Sequence, residues 1–232
     1  NDYCTGSTMS TSQRIVSLLA SATEILYGLG LGDQIVGVSH ECDFPIEARS
    51  KPRLTCSHIA SAQTSLQIDR QVKDFAASGQ SLYTIDERLL SELAPDLIVT
   101  QSQCDVCAIK YADVLKLVQS QESLRQTQVV ALSPNSLNDV FDDILRVGRA
   151  TSHLAPAETY LRQLVQRVQR IKQATVALSN LQRPRVICVE WVDPLMIAAN
   201  WTPELVEFAG GQNGLSRSGS HSVTFDWDEL FA

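Results

Sequence analysis

The stretch GVSHECDFP, residues 37–45, sets His40, Glu41, Cys42 and Asp43 side by side directly after an apolar run. An imidazole, a thiol and two carboxylates in a row can ligate a metal, move a proton or grip a polar ligand. They can also be a solvated turn, because loops are polar in any case. A second reactive-looking segment, QSQCDVC, carries Cys104 and Cys107 in a Cys-x-x-Cys pair between a strand and a helix. That is where thioredoxin-like redox motifs occur, and a helix N-terminus there lowers a thiol pKa. His40 and Cys42 with Cys104 and Cys107 make a thiolate-rich metal set imaginable. No local spacing closes such a site.

What positions these groups is an alternation of short apolar runs and amphipathic segments. RIVSLL reads as a strand. It leads into SATEILYGLGLG, where Ser21 and Glu24 have capping-box spacing and Gly28 and Gly30 mark the end. DQIVGVS, DLIVTQ and QVVALSP read as further strands. Helices are predicted over residues 65–78, over DERLLSELAP, from CAIKYADVLKLVQ and from SLNDVFDDILRVGRAT. Strand–helix alternation over residues 14–150 predicts an α/β lobe with parallel strands and helical crossovers. Residues 155–181 carry an apolar stripe from Leu161 to Leu178 and predict one continuous helix about 40 Å long, long enough to link two lobes. After it come the strand VICVEW, the helix WTPELVEFAGGQNGL and a polar loop. The expected division is a tail or remnant over 1–13, an N-terminal lobe over 14–150, a linking helix over 151–182 and a C-terminal lobe over 183–232. Too few elements follow the helix for a full sheet, so that last lobe is expected to be incomplete or completed by another chain.

In an open parallel sheet, ligands bind outside the carboxyl ends of the strands. The loops SATE, SHECDFP, QSQCDVC and SPNS fall on that edge. The VDP loop of the second half joins them. The two reactive-looking loops are therefore expected to converge on one cleft. Trp191 and Trp201 flank it either as core or as a stacking wall for a ring ligand.

The 232 residues carry a net charge of −7, and the basic residues cluster only along the long helix, so nucleic acid is not an expected partner. Six cysteines are too sparse for a disulfide scaffold. NDYCTGST has neither an apolar core nor a basic start. Without a secretory signal, a cytoplasmic location stays open. No Ser-His-Asp spacing, phosphate loop or paired-carboxylate motif is present, so the chain is not read as an enzyme.

RIVSLLASATEILYGLGLGDQIVGVSHECDFP resembles the N-terminal signature of the substrate-binding proteins of vitamin B12 and iron–siderophore ABC transporters. APDLIVTQSQCDVCA and VEWVDPLMIAANWTPELVEFAGGQN extend the likeness over about residues 14–232. The resemblance implies a periplasmic-binding-protein-like fold of two α/β lobes joined by one long helix. It implies a periplasmic or cell-surface location, a large ring-shaped ligand such as cobalamin or a related corrinoid, no required cofactor, and an ABC-transporter permease as partner. By the same likeness Ser21, His40, Glu41, Asp43, Phe44, Gln101, Cys104 and Asp105 form the N-lobe wall of the ligand site. Trp191, Asp193 and Trp201 form the C-lobe wall, and Asp228 and Glu229 are the acidic groups that dock on the permease. Family members continue beyond the final DELFA, which again implies a truncated second lobe. The alternative is a cytoplasmic metal- or thiol-dependent protein using His40, Cys42, Cys104 and Cys107.

Overall fold

The computed structural model describes residues 12–59, 62–104 and 108–231. The expected tail lies outside them through residue 11, as do Asp105 and Cys107. In chain order the elements begin with β1 (Ile15–Ser17), α1 (Ala20–Gly28), β2 (Ile35–Val38), β3 (Thr55–Ser57), α2 (Ser65–Ser78) and β4 (Tyr83–Ile85). They continue with α3 (Glu87–Leu93), β5 (Leu97–Gln101), α4 (Tyr111–Ser120), β6 (Gln128–Leu132), α5 (Leu137–Ala150) and α6 (Leu154–Thr175). The rest are β7 (Arg185–Val186), β8 (Val189–Val192), β9 (Leu195–Ile197), α7 (Thr202–Phe208), β10 (Gln212–Asn213), β11 (Val223–Thr224) and α8 (Trp227–Phe231).

β1, β2, β5 and β6 form one parallel sheet in the order β2-β1-β5-β6. Their near-continuous apolar sequence follows from burial on both faces. Ile15, Val16, Leu97, Ile98 and Val99 are all fully buried. One face packs on α1, α5 and the start of α6 through Leu26, Ile144, Val147 and Ala157. The other packs on α3 and α4 through Leu90, Val114 and Leu117. The predicted α/β lobe with its parallel sheet is thus observed.

One feature is added to the expected elements and two expectations are corrected. The crossover from β2 to β5 contains both expected helices, α2 and α3, and in addition a two-stranded antiparallel sheet of β3 and β4 with α2 between them. These strands are three residues long and half exposed, so neither alternation nor an apolar run announced them. The Ser21–Glu24 capping box does not form. The N-cap of α1 is Leu19, one turn boundary earlier. The carbonyl of Leu19 accepts from the Ser17 hydroxyl at 3.1 Å. Ser21 therefore lies inside the first turn with its side chain exposed.

The long helix is continuous but ends at Thr175, not 181; its 22 residues span about 33 Å. Arg183 stops it by donating to the carbonyl of Thr175 at 3.1 Å and to that of Leu178 at 3.3 Å. Beyond α6, β7 and β10 pair in parallel, and β8, β9 and β11 make an antiparallel sheet. Gly210, at φ 88°, closes α7 in the left-handed region and packs against Thr175 and Leu178.

Three helices tie the lobes together. The N-terminus of α5 is capped within its own lobe by Ser136 and Asp139, and the Asn135 and Ser136 N–H groups hold the Asp139 carboxyl below its ordinary value. A further donor there, the N–H of Leu137, is taken at 2.8 Å by the carboxylate of Glu204, which comes from α7. Thr175 of α6 donates to the carbonyl of Phe208 at 2.9 Å, and Lys172 sits 3.5 Å over the Phe208 ring. An anion at a helix N-terminus is stabilising, so Glu204→Ala is expected to lower unfolding free energy by about 1 kcal/mol in urea titration. Glu204→Gln keeps an acceptor and should lose less. Unchanged midpoints in both variants would show that the bond does not hold in solution.

Candidate functional site

At the carboxyl ends of β1 and β5 a cavity of about 350 Å3 opens between the lobes. From the N-lobe it is lined by Leu19, Ser21, Gln101, Gln103, Cys104 and Ala108. From the C-lobe come Glu190, Asn200, Trp201, His221 and Ser222. A smaller chamber shares Leu19 and Ala108 with it and contains His40 and Glu41. The SHECD and QSQC loops therefore converge on one edge of the sheet.

Among the described residues these loops do not assemble a metal centre. Cys42 is fully buried, and its thiol accepts from the Thr23 hydroxyl at 3.1 Å inside the core around α1. Burial pushes that thiol up, against the opposing effect of Thr23. Cys104 is disulfide-bonded and offers no thiolate. Among the described residues no group of three metal-ligating side chains assembles. His40, Cys42 and Cys104 therefore do not gather as metal ligands, since the thiol of Cys42 turns into the core while His40 lines the smaller chamber; Cys107 lies outside the described residues.

Several expected wall residues are also elsewhere. Asp43 is exposed and lies 3.7 Å from Arg49, and Phe44 is 63% exposed and outside both cavities. Gln101 does line the cavity, yet its amide is spent on the backbone of Cys104, accepting from that N–H at 2.8 Å and donating to that carbonyl. It fixes the loop. Trp191 and Asp193 do not line the cleft. A bulge in the β8–β9 register between Val189 and Trp191 leaves Glu190 as the extra residue. Bulges re-aim side chains, and Glu190 is the one that reaches the cavity, held by the Ser222 hydroxyl. The indole N–H of Trp191 instead donates to the carbonyl of Asp193 at 3.0 Å.

Trp201 does stand on the C-lobe wall. Asn200 before it has φ 50°, a left-handed conformation that Asn tolerates better than most residues. Its backbone bonds to Gly219 and Ser220 turn the chain from β9 into α7. Gln103 spans the two lobes, donating to the carbonyl of Pro134 and lying 3.5 Å from Asn200 Oδ1. Gln103, Glu190, Asn200, His221 and Ser222 were missed as individual residues. Only Gln103 had a signal, its place in the loop after β5. Asp228 and Glu229 lie in the short α8, both exposed, and Glu229 also accepts from the Asp226 N–H at 3.1 Å.

The fold has close counterparts. The periplasmic vitamin B12 binding protein BtuF of Vibrio cholerae superposes with a TM-score of 0.63 at 22% identity, over 94% of this chain and 72% of that one. A periplasmic heme binding protein from Pseudomonas aeruginosa gives 0.67 at 18% identity, over 94% of this chain and 67% of that one. An uncharacterized ABC transporter substrate-binding lipoprotein, YvrC of Bacillus subtilis (strain 168), is 33% identical over 92 residues. That match covers 32% of this chain and 28% of that protein, well under half of the relative's length. A model of the family described as periplasmic binding protein matches residues 15–232, nearly the whole described structure, and the chain belongs to that family.

Proposed function

We propose that the chain holds cobalamin or a related corrinoid in the inter-lobe cleft and presents it to the permease of an ABC importer. The observation that carries this reading is the cavity itself. It lies where both lobes contribute polar groups and where Trp201 offers a flat indole to a ring. The likeness to BtuF, a vitamin B12 binding protein, and to YvrC, named as a transporter lipoprotein, supports both the ligand and an extracytoplasmic location. No bond is made or broken; the protein acts by shape, stacking and a few hydrogen bonds. On this reading Asp228 and Glu229, both exposed on α8, are the carboxylates that meet a cationic permease surface.

Titration with cyanocobalamin, followed by calorimetry and by tryptophan emission, tests the reading. Saturable binding is the expected result. Trp201→Ala should cost about 1 kcal/mol or more of affinity through lost stacking. Trp191→Ala should change little, because that indole lies outside the cavity. Equal losses at the two positions would point to fold damage rather than stacking.

An iron porphyrin is the second reading, favoured by His221, an imidazole on the C-lobe wall that suits iron. Haem binding with a Soret shift that His221→Ala removes, together with no response to cyanocobalamin, would replace the corrinoid reading.

A further inference from the structure

The smaller chamber beside the cleft, about 130 Å3, has room for a short arm of a few heavy atoms. Leu18, Leu19 and Ile109 line it together with His40, Glu41 and Tyr83. His40 is held unusually firmly for a loop residue. Its backbone N–H donates to the Thr55 hydroxyl at 3.1 Å, and its Nδ1 lies 2.7 Å from the same oxygen. Its ring packs 5.5 Å from that of Tyr83.

A threonine hydroxyl has one hydrogen, and Thr55 is placed to give it to the Ser39 oxygen at 3.0 Å. With that hydrogen on Ser39, Nδ1 of His40 is the donor to Thr55, and Nε2 in the neutral ring is an acceptor. That Nε2 is buried and makes no hydrogen bond. Glu41 Oε1 is 3.1 Å away, but it too is an acceptor, and the pair is not aligned as a bond. Buried polar atoms in folded proteins nearly always have partners. Two acceptors side by side at the end of a chamber lack a donor. Tyr83 offers the complement: burial, and then the Glu41 charge, push its phenol up, so it keeps its proton.

We infer, on the corrinoid reading above, that this chamber receives a primary-amide arm of the ring ligand and rejects a carboxylate arm. The amide N–H donates to His40 Nε2 and toward Glu41, and Tyr83 stands ready to donate to the amide oxygen. A carboxylate brings no donor and meets the Glu41 charge. The side chamber would thus separate rings edged with amides from rings edged with carboxylates.

Cyanocobalamin and its peripheral monocarboxylic acids, obtained by partial hydrolysis, supply the probes. The unaltered protein should bind the amide form about tenfold or more tightly than the acid whose arm enters the chamber. Glu41→Gln, at an exposed side chain, should shrink that ratio by restoring affinity for the acid. His40→Phe should weaken the amide form and leave the acid unchanged, with thermal melting to confirm folding. Equal affinity for amide and acid forms, or a ratio unmoved by Glu41→Gln in a protein that binds cyanocobalamin, would overturn the inference and leave the proposed function standing. Binding of haem without cyanocobalamin would overturn both, because the arms of haem are carboxylates.

Discussion

Replacing Gly148 by alanine is expected to destabilise the protein by about 2–3 kcal/mol, the cost of overpacking a tight contact. The methyl of an alanine at 148 would overlap the methyl of Ala157, and the His153 carbonyl lies 3.2 Å away on another side. Ala157 is fully buried, so the clash has no solvent side to relax into. Neither partner has a flexible end to swing aside. The backbone of α5 or α6 must move, at the point where the His153 N–H donates to the Gly148 carbonyl at 2.7 Å and turns one helix onto the other. Ala157→Gly should rescue Gly148→Ala in part, although glycine inside a helix costs about 1 kcal/mol by itself. Urea unfolding of the two single variants and the double variant measures the coupling. Strictly additive losses would show that the helices do not meet at these two residues.

The second large effect is a pH dependence centred on Asp143. This residue is 4% exposed on the core face of α5, and its Oδ2 has no hydrogen-bond partner. Burial raises its pKa to about 6, against the pull of Arg146 3.6 Å away. Arg146 is divided, since it also donates to the Ala131 carbonyl at 2.9 Å. The folded value lies above the unfolded one, so the folded state binds the proton more tightly. Its stabilising contribution is complete below about pH 4, falls as pH rises, and is lost above about pH 6. Two units correspond to roughly 2–3 kcal/mol. Asp139 runs the opposite way: its lowered pKa contributes stability that disappears as pH falls. The measurement is therefore a difference. Unfolding free energies of the unaltered protein and Asp143→Asn, taken from pH 4 to 7, should diverge by that amount, with the asparagine variant relatively favoured at high pH. Parallel profiles would mean that Asp143 is ionised in the folded protein and satisfied by Arg146.

The parallel sheet was legible because its strands are buried on both faces, which makes each a compact apolar run between turn residues. Helix α2 was predicted at its observed limits from Leu66, Ile68, Val72 and Phe75. The linking helix was overdrawn because Leu178 continues its apolar spacing. Leu178 packs against Gly210 after the helix has ended at Thr175, and the flanking Val176 and Leu181 are 75% and 100% exposed. A side chain eight residues downstream, Arg183, ends the helix, and single-residue periodicity cannot show such a bond. The cleft was legible at the level of loops, through the rule that ligand sites gather at strand carboxyl ends. Individual residues were less so. The bulge that exchanges Trp191 for Glu190 depends on register with a neighbouring strand. The grip of Thr55 and Tyr83 on His40 depends on the pairing of β3 with β4, strands too short to leave a pattern.

The bonds of Glu204 have a mechanical consequence. Helix α5 is joined to α6 at Gly148 and Ala157, and to α7 at Leu137 and Glu204; α6 is joined to α7 at Thr175 and Phe208. Three rods pinned pairwise at three corners make a truss, and a truss resists shear without any one joint being strong. Such a frame resists a jaw-like closure of one lobe on the other. On the proposed function, capture would then be governed by diffusion through a standing doorway, with little binding energy diverted into closing it. On the same reading, stiffness makes release the harder half of the cycle, with the work of prising the rods apart falling to the permease.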